Sequence, residues 1–126
     1  MRKNLAVMVA GLLCAVAPLA AHHSVSGEYD PGKQITIKGT VSKVEWTNPH
    51  ARIYVDVTDQ GGKKTTWNFE LAARSALTRQ GWTGTSVKVG DTVTVEADAA
   101  RSGIPGGHTR NVILADGTKV FSGSND

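Results

Sequence analysis

From Ile35 onward the chain alternates. Ile35, Ile37, Gly39 and Val41 fall on one side and Thr36, Lys38 and Thr40 on the other, a period of two that predicts a half-buried strand. Val44 and Trp46 continue the apolar set with the opposite parity. An extra residue near Ser42-Lys43 is therefore expected, a β-bulge that bends the strand as a small closed barrel requires, with Gly39 easing the same curvature. Thr47-Asn48-Pro49 carries turn chemistry. Beyond it Ala51, Ile53, Val55 and Val57 alternate with Arg52, Tyr54 and Asp56 as a second strand. Asp59-Gln60-Gly61-Gly62-Lys63 is a hairpin loop, and Trp67, Phe69 and Leu71 mark the inward face of a third strand. Residues 72–80 are the helical candidate, with Ala72, Ala73, Ala76 and Leu77 along one side and Gly81 as the stop. Val89-Gly90-Asp91 turns into a fourth strand carrying Val93, Val95 and Ala97 inward. The glycine-rich stretch 102–107 precedes a fifth strand through Val112 and Leu114, closed by Asp116-Gly117.

Three strands, one short helix between strands 3 and 4, then two strands is the order of a five-stranded OB-like (oligonucleotide/oligosaccharide-binding) barrel, so the expected class is all-β. An immunoglobulin-like sandwich needs about seven strands and gives the helix no place. The barrel domain is expected over 35–121, with an irregular arm over 22–34, where Gly27, Pro31 and Gly32 break any period, and a loose tail over 122–126.

The start of the chain follows a different rule. Met1-Arg2-Lys3-Asn4 is positive, residues 5–16 are an apolar run, and Ala17-Pro18-Leu19-Ala20-Ala21 supplies small residues before His22-His23. This is the pattern of a secretory signal peptide over 1–21, cleaved after Ala21 or, less favourably, after Ala20, with a run too short to span a bilayer. A periplasmic or secreted protein with no membrane insertion after cleavage is the expectation. Leu12-Leu13 before Cys14 fit a lipoprotein motif poorly. Cleavage alters the balance of charge. Of 14 basic residues Arg2 and Lys3 leave with the signal, against 11 acidic ones, so the exported chain is close to neutral. The single cysteine, Cys14, leaves too, and packing rather than a disulfide must hold the domain.

Histidines supply the first candidate chemistry. An N-terminal His22 would offer its amine and its ring together, and a start at Ala21 would put His23 in the third position; both arrangements suit Cu(II). His22, His23 and His50 are therefore the candidate metal ligands and copper the candidate cofactor, against the alternative that any terminal histidine binds copper without purpose. His50 follows the turn, where the residue type favours a local role, capping the turn or packing on Trp46, over projection from the rim toward the arm. His108, beside Gly106-Gly107, is the weakest ligand candidate.

Nucleic acid is not expected as a partner. Arg52 and Tyr54 point outward as a stacking platform would, but Asp56 shares their face and Asn68 and Glu70 occupy the next strand, leaving no basic stripe. Enzymatic function is not expected either. No nucleophile-elbow pattern is present, and a carboxylate pair such as Glu45 and Glu70, which could in principle do glycosidic acid and base work, falls at outward positions that read as solvated surface. A small hydrolase is thus the remotest reading.

The strings His22-His23-Ser24, Tyr29-Asp30, Gly39-Thr40-Val41, Glu45 to His50, Trp67 with Glu70-Leu71, Gly81-Trp82, Val89-Gly90-Asp91 and Arg101-Ser102-Gly103 resemble a family of small exported bacterial proteins, domain-of-unknown-function family 6152. The resemblance implies an exported OB-like barrel and carries no activity with it. A non-catalytic binding or accessory module follows, docking a small ligand or a periplasmic protein through the rim formed by Trp46, Asn48, His50, Arg52 and Tyr54.

Overall fold

The computed structural model describes residues 24–122, with side chains over 25–121. The elements run α1 (Ser24–Glu28), β1 (Tyr29–Glu45), β2 (Arg52–Thr58), β3 (Lys64–Glu70), α2 (Arg74–Arg79), β4 (Thr92–Ala100), β5 (Gly106–Leu114) and β6 (Lys119–Ser122). β1 is long enough to serve two neighbours, pairing antiparallel with β4 along its first part and with β2 along its last, and Thr40 lies opposite both Thr92 and Asp56. β2 pairs with β3, and β4 with β5. A short parallel pairing of Asn68, Phe69 and Glu70 with Gly106, Gly107 and His108 closes the ring β1-β2-β3-β5-β4. This is the strand order of an OB-type barrel.

The expected bulge is present as a register shift between Val41 and Lys43. Gly39 does more than ease curvature. A Cβ there would sit 2.3 Å from the Asp56 carbonyl oxygen, so close strand approach requires a residue without a side chain. Gly106 and Gly107 serve the closure in the same way, since added Cβ atoms would lie 2.8 and 2.7 Å from the carbonyl oxygens of Asn68 and Asp98.

The inward positions of the strands form one core. Val41, Ile53, Val55, Phe69, Val93, Val95 and Val112 are buried, and Leu77 of α2 plugs one end. Gly81, at φ +91°, ends that helix turn, and the Trp82 amide returns to the Leu77 carbonyl at 3.0 Å. Trp82 covers the barrel end, edge-on to Phe121 at 5.7 Å between ring centroids. Trp67 keeps its inward parity but is only partly buried, stacked on Phe69 at 6.0 Å.

Several expectations need correction. The described residues form six strands, not five: β6 takes the part of the β5 edge that β3 leaves free, pairing from Asn111 to Ile113. Among the described residues there are two short helices, not one, with α1 preceding β1 and α2 spanning less than 72–80. The arm over 22–34 is not irregular where it is described. It forms α1 and then the start of β1, because Tyr29 and Asp30 pair with Ala100 and Ala99, and residues 31–33 are absorbed in a second register shift before Gln34. The signal segment 1–21, the metal candidates His22 and His23, and tail residues 123–126 lie outside the described residues. Among the described residues no helix is long and apolar enough to cross a membrane.

Candidate functional site

Hairpin register fixes the first half of the site. With the loop at 59–63, Arg52 lies opposite Glu70, and Glu45 lies opposite Arg52 on the other side. All three point away from the core. The ring closure supplies the second half by placing His108 opposite Glu70, while Asp98 of β4 lies opposite His108. β1 begins next to this face, and Tyr29 reaches over it.

Glu70 is the centre of the cluster. Its outward parity agrees with expectation, but it is not solvated surface: only 3% of the residue is exposed. The His50 Nδ1 atom stands 2.6 Å from Oε1, the Tyr29 hydroxyl donates to Oε2 at 2.7 Å, and Arg52 Nη2 approaches Oε2 at 3.4 Å. A buried carboxylate needs such donors. Arg52 also donates to Asn68 Oδ1 at 3.2 Å, so its guanidinium bridges Asn68 and Glu70 of β3.

Geometry assigns the His50 tautomer. A 2.6 Å contact between Nδ1 and a carboxylate oxygen carries a proton, so Nδ1 is the donor and, in the neutral ring, Nε2 keeps its lone pair. The local capping role is filled by Thr47, whose hydroxyl donates to the His50 carbonyl at 3.3 Å, leaving the ring to Glu70. His108 packs against Tyr29 with ring centroids 5.6 Å apart. Burial holds its imidazole below the ordinary histidine range; Glu70 and Asp98 oppose the shift, and His50 and Arg110 add to it. Tyr29 moves the other way, pushed up to about 12 by burial and then by its bond to Glu70. Asp98, 8% exposed, is held by Arg110 through Nε at 2.6 Å and Nη2 at 3.1 Å.

Arg101 fastens the segment that carries Tyr29. Its amide donates to the Glu28 carbonyl at 2.8 Å, its Nε donates to the Ser26 carbonyl at 3.0 Å, and its guanidinium lies 3.8 Å from Asp30. The β4–β5 connection therefore clamps α1 and the start of β1 beside the cluster.

The five rim residues proposed from sequence separate. His50 and Arg52 join at Glu70. Tyr54 lies further along the face, its hydroxyl donating to Glu45 at 3.3 Å and Lys43 Nζ standing 5.2 Å from its ring centroid. Trp46 stacks on Trp82 at 6.5 Å and belongs to the barrel end. Asn48 lines an open depression of about 530 Å³ with Arg74, Ser75, Thr78 and Arg79. Glu45 and Glu70 do not form a carboxylate pair, because Arg52 lies between them in the sheet. Three residues of the cluster went unassigned in the sequence: Glu70 was placed on the surface, His108 was ranked last, and Tyr29 had no role. The hairpin count alone pairs Arg52 with Glu70, whereas nothing local points to Tyr29 or His108. Among the described residues no group of three or more His, Cys, Asp or Glu side chains is placed to hold a metal ion.

An OB-type barrel with a histidine–carboxylate cluster on the outer face of β2 and β3, between the β1–β2 and β4–β5 connections, is the class that fold and site define; that face and those connections are where OB-folds take their ligands. The chain belongs to the family of unknown function DUF6152, whose model matches residues 9–109. No curated protein matches the chain. Among solved structures it is similar to the mitochondrial single-stranded DNA-binding protein Rim1 of S. cerevisiae. One crystal form gives 16% identity and a TM-score of 0.51 over 70% of this chain and 95% of that one. Another gives 15% identity and 0.51 over 70% and 94%. At this identity the likeness establishes the fold. It also corrects the expectation that nucleic acid is excluded as a partner, because proteins sharing the barrel are single-stranded DNA-binding proteins.

Proposed function

We propose that this chain is an exported, non-catalytic binding module whose ligand docks on the outer face at Glu70, contacting His50, Arg52 and His108. One observation carries the reading. A carboxylate only 3% exposed on the outside of a barrel is held by Tyr29, His50 and Arg52, and its contact with Nδ1 leaves the half-exposed His50 ring with Nε2 as its acceptor. A group of that kind, positioned by buried partners at the ligand face of its fold, is preorganised for recognition. Export rests on the pattern of residues 1–21.

The neighbours suggest single-stranded DNA as a second ligand for the same face. Lys43, Arg52 and Lys64 supply its cations there, each within 4 Å of a carboxylate: Glu45 at 2.9 Å, Glu70 at 3.4 Å and Asp56 at 3.6 Å. Phosphates would have to displace these partners, so such binding would be weak and steeply salt-dependent. Amide chemical-shift mapping with a library of small polar fragments, and separately with a dT12 oligonucleotide, tests both readings. Fragment shifts centred on His50, Arg52, Glu70 and His108 are expected. Shifts confined to the depression at Arg74 and Arg79, or no fragment binding, would contradict the proposal. Salt-sensitive dT12 shifts along β2 and β3 in the absence of fragment shifts would transfer the face to nucleic acid.

A further inference from the structure

We infer that the Glu70 cluster is an open two-histidine site for a divalent first-row transition-metal ion, with His50 Nε2 and a ring nitrogen of His108 as ligands and Glu70 as the orienting group. The inference deepens the binding-module reading and rests on it. A metal-bound histidine characteristically donates its other ring N–H to a carboxylate, which fixes tautomer and ring plane and raises the basicity of the coordinating nitrogen. His50 already makes that contact at 2.6 Å. Glu70 cannot itself serve as a free ligand, since Tyr29 and Arg52 take its other oxygen.

His108 is the second donor. It lies opposite Glu70 in the β3–β5 pairing, so His50 and His108 approach the same residue from two different elements. The His108 ring packs against that of Tyr29, with centroids 5.6 Å apart. Neighbouring formal charges cancel, Glu70 and Asp98 against Arg52 and Arg110. A hard cation such as Ca²⁺ or Mg²⁺ needs several oxygen ligands and gains nothing here. An ion that bonds to imidazole nitrogen does. With two protein ligands the remaining positions fall to water or to a further donor, which makes an exchangeable site rather than a structural one.

The test is titration of the intact exported chain with Zn(II) chloride by calorimetry, with Co(II) visible absorption as a report on imidazole ligation. One ion per chain is expected. His50→Ala and His108→Ala should each weaken Zn(II) binding by about tenfold or more, and Glu70→Gln by roughly 10–100-fold, as removal of an orienting partner does. Because Glu70→Gln removes a buried charge and can impair folding, imidazole ¹⁵N shifts of the wild type during the same titration provide an independent measure. Both His50 and His108 should move together. Unchanged Zn(II) affinity in His50→Ala and His108→Ala would overturn the inference, as would zinc loss confined to a His22→Ala/His23→Ala variant, or no binding at all. Fragment mapping repeated in EDTA separates the two proposals: fragments still landing at Glu70 while zinc ignores the histidines would remove the metal and leave the binding face.

Discussion

Replacing Tyr29 by phenylalanine removes one hydroxyl and little else, and the structure sets the cost. The residue is 8% exposed and its hydroxyl donates at 2.7 Å to a carboxylate that is itself buried. Hydrogen bonds to charged groups contribute about 1.5–3 kcal/mol. Glu70 keeps His50 and Arg52 in the variant, so a loss of about 2 kcal/mol is expected, read in urea as a lower midpoint at unchanged slope. Alkaline pH provides a second measure at the same residue. Burial, then the Glu70 bond, raises the phenol from 10.0 to about 12. Between those values the unfolded tyrosine has released its proton while the folded one retains it, so the folded state binds more protons and stability falls as pH rises. The contribution is complete below the unfolded value and gone above the folded one, a span of about 2–3 kcal/mol. Lysines and Tyr54 titrate in the same range. The quantity to read is therefore the difference between wild type and Tyr29→Phe, which should shrink as pH rises from about 10 to about 12. An unmoved urea midpoint at neutral pH, together with parallel stability curves at high pH, would refute the central place given to the Tyr29–Glu70 bond.

Three further outcomes can be checked by urea unfolding. Phe69→Ala should cost about 3–5 kcal/mol and Trp67→Ala less, because Phe69 is fully buried and Trp67 only partly so; the reverse order would contradict the deeper burial of Phe69. Gly39→Ala should cost about 1–3 kcal/mol by forcing β1 and β2 apart at Asp56, and a neutral effect would contradict that close approach. His50→Ala should cost about 1 kcal/mol, less than Tyr29→Phe, since water reaches the half-exposed imidazole position; a cost above that of Tyr29→Phe would make His50 chiefly structural.

Local pattern carried much of the fold and little of the site. Alternation placed the inward faces of β2, β3 and β4, parity located the bulge at Val41 and Lys43, and Gly81 marked the end of α2, because each is decided by neighbours in sequence. The cluster depends on contacts that are not local. Tyr29 and Glu70 are 41 residues apart, and His108 meets Glu70 only because β3 and β5 close the ring in parallel. Outward parity at Glu70 therefore read as exposure, since what covers it comes from the other end of β1. β6 was missed for a related reason. Its four residues gain their ladder from the β5 edge that β3 leaves open, and Val120 and Phe121 alone are too short an apolar run to announce a strand.

The protonation state of the His50 ring is the most direct test of the site. Long-range ¹H–¹⁵N correlation should show, in the neutral ring, Nδ1 protonated and Nε2 bearing a lone pair, a single tautomer held by the 2.6 Å contact to Glu70, and Glu70→Gln should release it into tautomeric averaging. A neutral wild-type ring protonated at Nε2 rather than Nδ1, or averaging between the two tautomers as a free histidine does, would mean that Glu70 does not hold Nε2 as an acceptor for a ligand, and the binding face would lose its basis.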